Sequence, residues 1–259
     1  MSKTQVENTN KKSKNPLVLT DENYYSQQAN EKYFSVSQFK DFLKCEAMAL
    51  AKIKGEYKQE MTKPLLVGSF VDAYFEGTFE SFKKEHPEIF KQDNELKADF
   101  KKANQIINRI VKDELFSKFM SGDKQKIITF EMFGVWWKCK LDSYIKDVCI
   151  NDLKVVQNLK TLPLWRYDIQ GAVYQKGIEI VEGKKLPFYL SVATKERVID
   201  IDIFQIPDNV LDEALSEVEM LISLYSSIKE GKQEPTSCGI CDYCKLRKKA
   251  TVRNYLELM

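Results

Sequence analysis

Phe133-Gly-Val-Trp-Trp-Lys-Cys-Lys-Leu-Asp142-Ser-Tyr-Ile-Lys-Asp-Val-Cys-Ile-Asn-Asp152-Leu-Lys154 carries the strongest structural signal in this chain. Aromatic and β-branched residues dominate it and short polar punctuation bounds it, so it reads as two β-strands joined by a tight turn near Lys146 and Asp147. Strand alternation places Lys138, Lys140 and Asp142 on one face and Trp137, Cys139 and Leu141 on the other. On the second strand Ile150, Asp152 and Lys154 fall together, opposite Cys149, Asn151 and Leu153. The hairpin therefore brings Asp142 beside Asp152 and Lys154. At an effective dielectric near 20, two carboxylates about 4 Å apart repel by roughly 4 kcal/mol. A hard divalent cation relieves that repulsion because it prefers oxygen ligands. The competing reading is an amphipathic hairpin whose Asp and Lys are simply solvated.

Outward from the hairpin, residues 126–133 form a further strand. Residues 35–55 read as one helix capped by Ser35 or Ser37, with Phe39, Phe42, Leu43 and Met48 as its stripe, Cys45 inside it and Gly55 at its end. Residues 65–76 form a second helix on which Gly68, Asp72 and Glu76 lie along one line. Gly68 would admit a closely approaching backbone; the bland alternative is a helix with one small residue and two solvated acids. A third, amphipathic helix covers about 95–119, with Phe100, Ile106, Ile107, Ile110 and Val111 inward. After the hairpin, 164–177 is a helix that sets Gln170 and Tyr174 one turn apart. Strands at 187–194 and 198–204 and a long helix at 209–229 complete the pattern. Such an order predicts an α/β or α+β sheet flanked by helices. Residues 1–20 read as a disordered or loosely attached arm and 21–259 as a single domain.

The 259 residues carry 40 Lys and Arg against 38 Asp and Glu, a net charge of +2. That balance argues against a histone-like or disordered basic protein but leaves room for a local basic patch. No apolar run is long enough to span a bilayer, and the polar first residues lack the apolar middle of a signal peptide, so a cytoplasmic protein is expected. The one histidine, His86, precedes a proline in a charged stretch, which removes histidine relays, H-E-x-x-H zinc sites and Cys2His2 fingers. There is no phosphate-binding G-x-x-x-x-G-K-[ST] loop either. Acid–base or metal chemistry must come from Asp, Glu, Lys, Tyr and Cys.

Cys238, Cys241 and Cys244 stand at C-x2-C-x2-C spacing, a tight run suited to a soft metal centre. Iron–sulfur sites often add a fourth ligand from far away, whereas structural zinc more often pairs two separated C-x2-C knuckles. Cys139 and Cys149 look like core residues on strands, so Cys45 is the fourth ligand by elimination. An iron–sulfur cluster is favoured over Zn2+. Lys245, Arg247, Lys248, Lys249 and Arg253 follow as the densest basic run, either a solvated tail or a DNA phosphate-binding strip.

Taken together, these residues resemble the PD-(D/E)xK nuclease superfamily, and within it the RecB-like branch that includes exodeoxyribonuclease VIII-like phage enzymes and iron–sulfur nucleases of CRISPR adaptation. Gly68-Ser-Phe-Val-Asp72 with Glu76 is similar to the family's first motif, with Asp in place of the more frequent His. Leu141-Asp142 stands where the family has Pro-Asp, Asp152-Leu-Lys154 matches (D/E)-x-K, and Gln170-Gly-Ala-Val-Tyr174 matches Q-x-x-x-Y. The resemblance implies a restriction-endonuclease-like mixed sheet flanked by helices, its chain ends clamped by Cys45, Cys238, Cys241 and Cys244 around a [4Fe-4S] cluster. It also implies a Mg2+- or Mn2+-dependent DNA exonuclease. Asp72, Asp142 and Asp152, with the Leu153 carbonyl, would hold metal; Lys154 would activate water, Gln170 would orient substrate or water, and Tyr174 would contact phosphate. Glu131 is a lesser candidate. DNA end processing for recombination in a phage or prophage follows from the same resemblance, with a single-strand annealing protein as partner and a homo-oligomer left open. The rival class is a non-catalytic nucleic-acid-binding or assembly subunit with a vestigial nuclease fold.

Overall fold

The computed structural model describes residues 17–252, 254 and 256. The helices α1 Gln27–Lys32, α2 Val36–Lys44, α3 Glu46–Ile53, α4 Lys63–Glu76, α5 Phe79–Glu85, α6 Ala98–Val111 and α7 Glu114–Phe119 precede a sheet. Its strands are β1 Asp123–Met132, β2 Val135–Ile145, β3 Cys149–Val156, β4 Phe188–Thr194 and β5 Ile201–Ile206, in spatial order β1-β2-β3-β4-β5. Neighbours are antiparallel except β3 and β4, which run parallel and so require a crossover. A 3-10 segment, Leu159–Trp165, and α8 Tyr167–Glu182 make it; α9 Asp208–Lys229 and α10 Asp242–Arg247 follow β5. The architecture is the expected α/β mixed sheet flanked by helices.

Each sheet face buries its own core. α2, α3, α8 and α9 cover one face through residues such as Phe39, Leu50, Ile178 and Val218, packed on Trp137, Leu141 and Ile150. On the other face α4, α6 and α7 bury Phe70, Ile106 and Phe116 against Leu153 and Ala193. α8 sits unusually close to the sheet. A Cβ on Gly171 would come within 2.6 Å of the Phe188 ring, and one on Gly177 within 2.4 Å of the Phe130 ring.

Several boundaries depart from the sequence reading, each for a local reason. The helix expected over 35–55 is interrupted at Cys45, whose extended backbone (φ −168°, ψ 111°) ends α2 and begins α3. The helix expected over 95–119 breaks at Asp113, whose carboxylate accepts the Phe116 N–H at 3.0 Å and caps a new helix. Val111 is consequently 50% exposed rather than core. α8 starts at Tyr167, not 164, because Arg166 takes a left-handed conformation (φ 51°), leaving Leu164 and Trp165 exposed. Gly68 admits no neighbour: a Cβ there would meet nothing within 4 Å. Of the arm expected over 1–20, residues 1–16 lie outside the described residues, while Leu17 is tied to the domain by the Tyr33 hydroxyl, which donates to its carbonyl at 2.6 Å.

Candidate active site and cysteine site

The ladder between β2 and β3 is short. It runs from Ile145↔Cys149 to Ser143↔Asn151 and stops. The next residues on the two strands are Asp142 and Asp152, so both stand at the fork where the strands part. There the Asp142 side chain accepts the Leu153 N–H at 3.0 Å, replacing a ladder bond with a side-chain one. Side-chain alternation also slips on β2: Leu141 and Tyr144 both join the core under α8 and α9, while Ser143 turns the other way and donates to the Phe119 carbonyl. β1 is irregular at the same level, where Gln125 adopts φ 51°. The two aspartates therefore meet at a split in the sheet, and not on one continuous face as strict alternation implies.

The split lets helices from opposite faces contribute to one cleft of about 380 Å³. α4 supplies Asp72 and Glu76, α8 supplies Gln170 and Tyr174, and the strands supply Asp142, Asp152, Lys154, Lys138 and Lys140. Gln170 Nε2 donates to Asp152 Oδ1 at 2.8 Å. Lys154 Nζ forms a buried ion pair with the other oxygen, Asp152 Oδ2. The Tyr174 hydroxyl donates to the Lys140 carbonyl at 3.2 Å, so it braces β2. Asp72, Asp142 and Asp152 share the cleft, while the one group of three or more metal-ligating side chains gathered closely enough to hold an ion among the described residues is the cysteine set below.

Charge crowding sets the chemistry. Asp152 is 1% exposed. Burial first, and Asp142 second, push its carboxyl up to about 7 against the pull of Lys154. Burial and Asp142 likewise raise Asp72 well above the usual carboxylate range, and they raise Glu76. Burial would lower Lys154, but Asp152, Asp142 and Asp72 together outweigh it, and its ammonium titrates above the ordinary lysine value. A cation is thus already part of the site, and Asp72, Glu76 and Asp152 still hold protons more tightly than free carboxylates do.

Other residues complete the cleft. Glu76 replaces Glu131, which is exposed and lies outside it; the i, i+4 step from Asp72 pointed to Glu76. Tyr167, one helical turn before Gln170, carries Lys154 Nζ 5.5 Å and Lys40 Nζ 5.2 Å from its ring centre. Burial and the neighbouring Lys154 lower Lys40 to about 8. Tyr24 and Tyr25 line the cleft, anchored by Lys138, which donates to Asn30 Oδ1 at 2.8 Å, and by the Lys140–Asp21 pair at 3.0 Å. No period or motif in the sequence connects Tyr24 and Tyr25 with this cleft, or Lys40 with Lys154.

The four expected cysteines do converge. The Sγ atoms of Cys45, Cys238, Cys241 and Cys244 all lie within 4.8 Å of one another, while Cys139 and Cys149 are buried in the sheet. Lys245, Arg247, Lys248 and Lys249 are exposed beside this site and do not line the carboxylate cleft. Arg253 lies outside the described residues.

A family profile described as "PDDEXK-like domain of unknown function (DUF3799)" matches residues 35–247. The chain belongs to this PDDEXK-like family. Its matched span takes in the fork, both flanking helices and all four clustered cysteines. A crystal structure from Eubacterium rectale, described as a "Putative exonuclease", shares this PDDEXK-like fold at 45% identity and a TM-score of 0.90, covering 93% of this chain and 97% of its own. The structure of SSO0001 aligns over 81% of this chain and 96% of its own at 14% identity and a TM-score of 0.31, too remote to inform fold or function. No curated protein is significantly similar to the chain. Family and neighbour together support a nuclease, and no helix among the described residues is long and apolar enough to cross a membrane.

Proposed function

We propose that this protein is a divalent-metal-dependent deoxyribonuclease of the RecB-like branch that removes nucleotides from DNA ends. The observation that carries this reading is the state of Asp152: a buried carboxylate crowded by Asp142 and Asp72, with Gln170 on one oxygen and Lys154 on the other. Asp72, Asp142 and Asp152 would hold Mg2+ or Mn2+. Such an ion, when bound, polarises a scissile phosphate and lowers the pKa of a coordinated water.

The chain's own residues do the rest. Lys154 orients the attacking water and offsets negative charge growing on the phosphate oxygens. Gln170, through its bond to Asp152 Oδ1, fixes the rotamer of the central ligand. Tyr174 holds β2 at the fork through the Lys140 carbonyl and acts as a positioning residue. The cysteine site takes no part in the cleavage step. The exonuclease mode draws on the description of the Eubacterium rectale protein. Recombination-type end processing in a phage or prophage, beside a single-strand annealing protein, rests on the family resemblance alone.

The test is a time course with Mg2+ on end-labelled linear DNA and on closed circular DNA. Linear DNA should be degraded and circular DNA spared, and Asp152→Asn should be inert on both. DNA binding without cleavage by the wild type would establish the non-catalytic alternative. Wild-type rates from Asp152→Asn would remove the fork from the mechanism.

A further inference from the structure

We propose that Cys45, Cys238, Cys241 and Cys244 bind one tetrahedrally coordinated soft divalent ion of the zinc type, and not an iron–sulfur cluster, and that this ion staples the two chain ends and steadies α3 at the edge of the cleft. Sulfur spacing carries the first half. Four thiolates about 2.3 Å from one shared ion stand about 3.8 Å apart along the edges of a tetrahedron. Here Cys45 Sγ is 3.6 Å from Cys244 Sγ, Cys238 Sγ is 3.9 Å from Cys244 Sγ, and no pair in the set exceeds 4.8 Å. In a four-iron cluster each thiolate binds its own iron at a separate corner. Its sulfurs must stand outside the cube, farther apart than a set converging on one point. The cysteines here converge.

The backbone is shaped for that convergence. Cys45 interrupts what would otherwise be one helix, and its extended conformation turns the sulfur toward the tail. In the tail, Gly239 takes φ 75° and the Cys241 N–H donates to Cys238 Sγ at 3.4 Å, a tight knuckle that presents both sulfurs to one side. The two ends are already joined by the Ala47 N–H to the Thr236 carbonyl at 3.1 Å and the Thr236 N–H to Glu46 Oε2 at 2.7 Å. Binding the ion displaces the protons of whichever thiols still hold them and changes no oxidation state.

α3 connects this site to the cleft. Its Lys52 and Ile53 line the carboxylate cleft, where Lys52 Nζ pairs with Asp41 at 2.9 Å, while its Leu50 and Ala51 line the cavity beside Cys244. Loss of the ion leaves a short helix, eight residues long, without its clamp on the tail side.

Full-length protein purified without oxygen should be colourless and contain one zinc per chain and no acid-labile sulfide. Replacement by Co2+ should give the strong visible absorption of a tetrahedral tetrathiolate. A brown protein with iron and sulfide in equal amounts would overturn the assignment, as would metal-free protein whose cysteines are all disulfide-bonded. Cys45→Ser should lose the ion and become sensitive to protease between 236 and 247 while its far-ultraviolet dichroism is kept. Unchanged protease sensitivity after metal loss would refute the staple. If Cys45→Ser does not fold, stripping wild-type protein with a chelator provides the same readout. Metal and sulfide are measured without DNA, so the outcome is independent of the nuclease reading.

Discussion

Replacing Asp152 with asparagine should strengthen the fold while destroying activity, and the size of the gain follows from the site. Burial and Asp142 move the Asp152 carboxyl from 3.8 to about 7. A displacement of about three pH units is worth roughly 4 kcal/mol. In the unfolded chain the carboxyl returns to its ordinary value. Between about pH 4 and pH 7 the folded protein therefore binds this proton more tightly than the unfolded chain does. The stabilisation that proton brings is complete below the unfolded value and is lost as pH rises through the folded one. At pH 8 the wild type bears the full penalty of a buried, repelled carboxylate. Asparagine has the same shape, can still accept from Gln170 through its side-chain oxygen, and has no charge to bury. Lys154 loses its contact with Asp152 but keeps the attraction of Asp142 and Asp72. The metal-free variant should thus gain up to about 4 kcal/mol at pH 8, on the order of 10 °C in Tm for a chain of this length, and little at pH 4.5. Urea titrations and thermal melts in EDTA at both pH values measure this. A variant less stable at pH 8, or a gap of equal size at both pH values, would refute the reasoning.

Lys154→Met should remove cleavage by at least about 100-fold and, by leaving Asp152 buried without its cation, lower stability at pH 8 by about 1 kcal/mol, the cost of protonating a carboxyl that titrates at about 7. The deficit should shrink below pH 7, where Asp152 takes up a proton; melts across pH and single-turnover rates check both parts. Gln170→Ala should reduce kcat about 10- to 100-fold by freeing the Asp152 rotamer, with KM for DNA nearly unchanged, as steady-state kinetics will show. Gly177→Ala places a Cβ 2.4 Å from the buried Phe130 ring and should destabilise the protein by about 1–3 kcal/mol without touching the cleft, readable as a lower urea midpoint at normal specific activity.

Much of the site was legible because its signals are local. A period of two located β2 and β3, and mutual carboxylate repulsion singled out Asp142 and Asp152 before any partner was known. The cysteine spacing and the elimination of Cys139 and Cys149 led to Cys45. What stayed hidden depends on contacts distant in sequence. The fork exists because β3 leaves β2 after Asn151 while its other edge stays paired with β4 through Val156↔Thr194, and nothing within either strand announces that parting. The break at Cys45 opposes the helical preference of Phe42-Leu-Lys-Cys-Glu-Ala47 and reflects the convergence of four sulfurs. Leu164 and Trp165 looked like the start of a buried helix because their apolarity says nothing of the left-handed Arg166 that follows. Tyr24 and Tyr25 reach the cleft only because Lys138 and Lys140 hold their segment across β2.

The most direct measurement is a Mn2+ titration followed by electron paramagnetic resonance on wild-type protein and on Asp152→Asn, in parallel with cleavage of linear DNA. The carboxylate fork predicts saturable Mn2+ binding by the wild type that rises with pH through about 7, as Asp152 loses its proton, and that is lost in the variant together with cleavage. Wild-type protein that degrades DNA in EDTA, or binding that is identical in the two proteins, would contradict it.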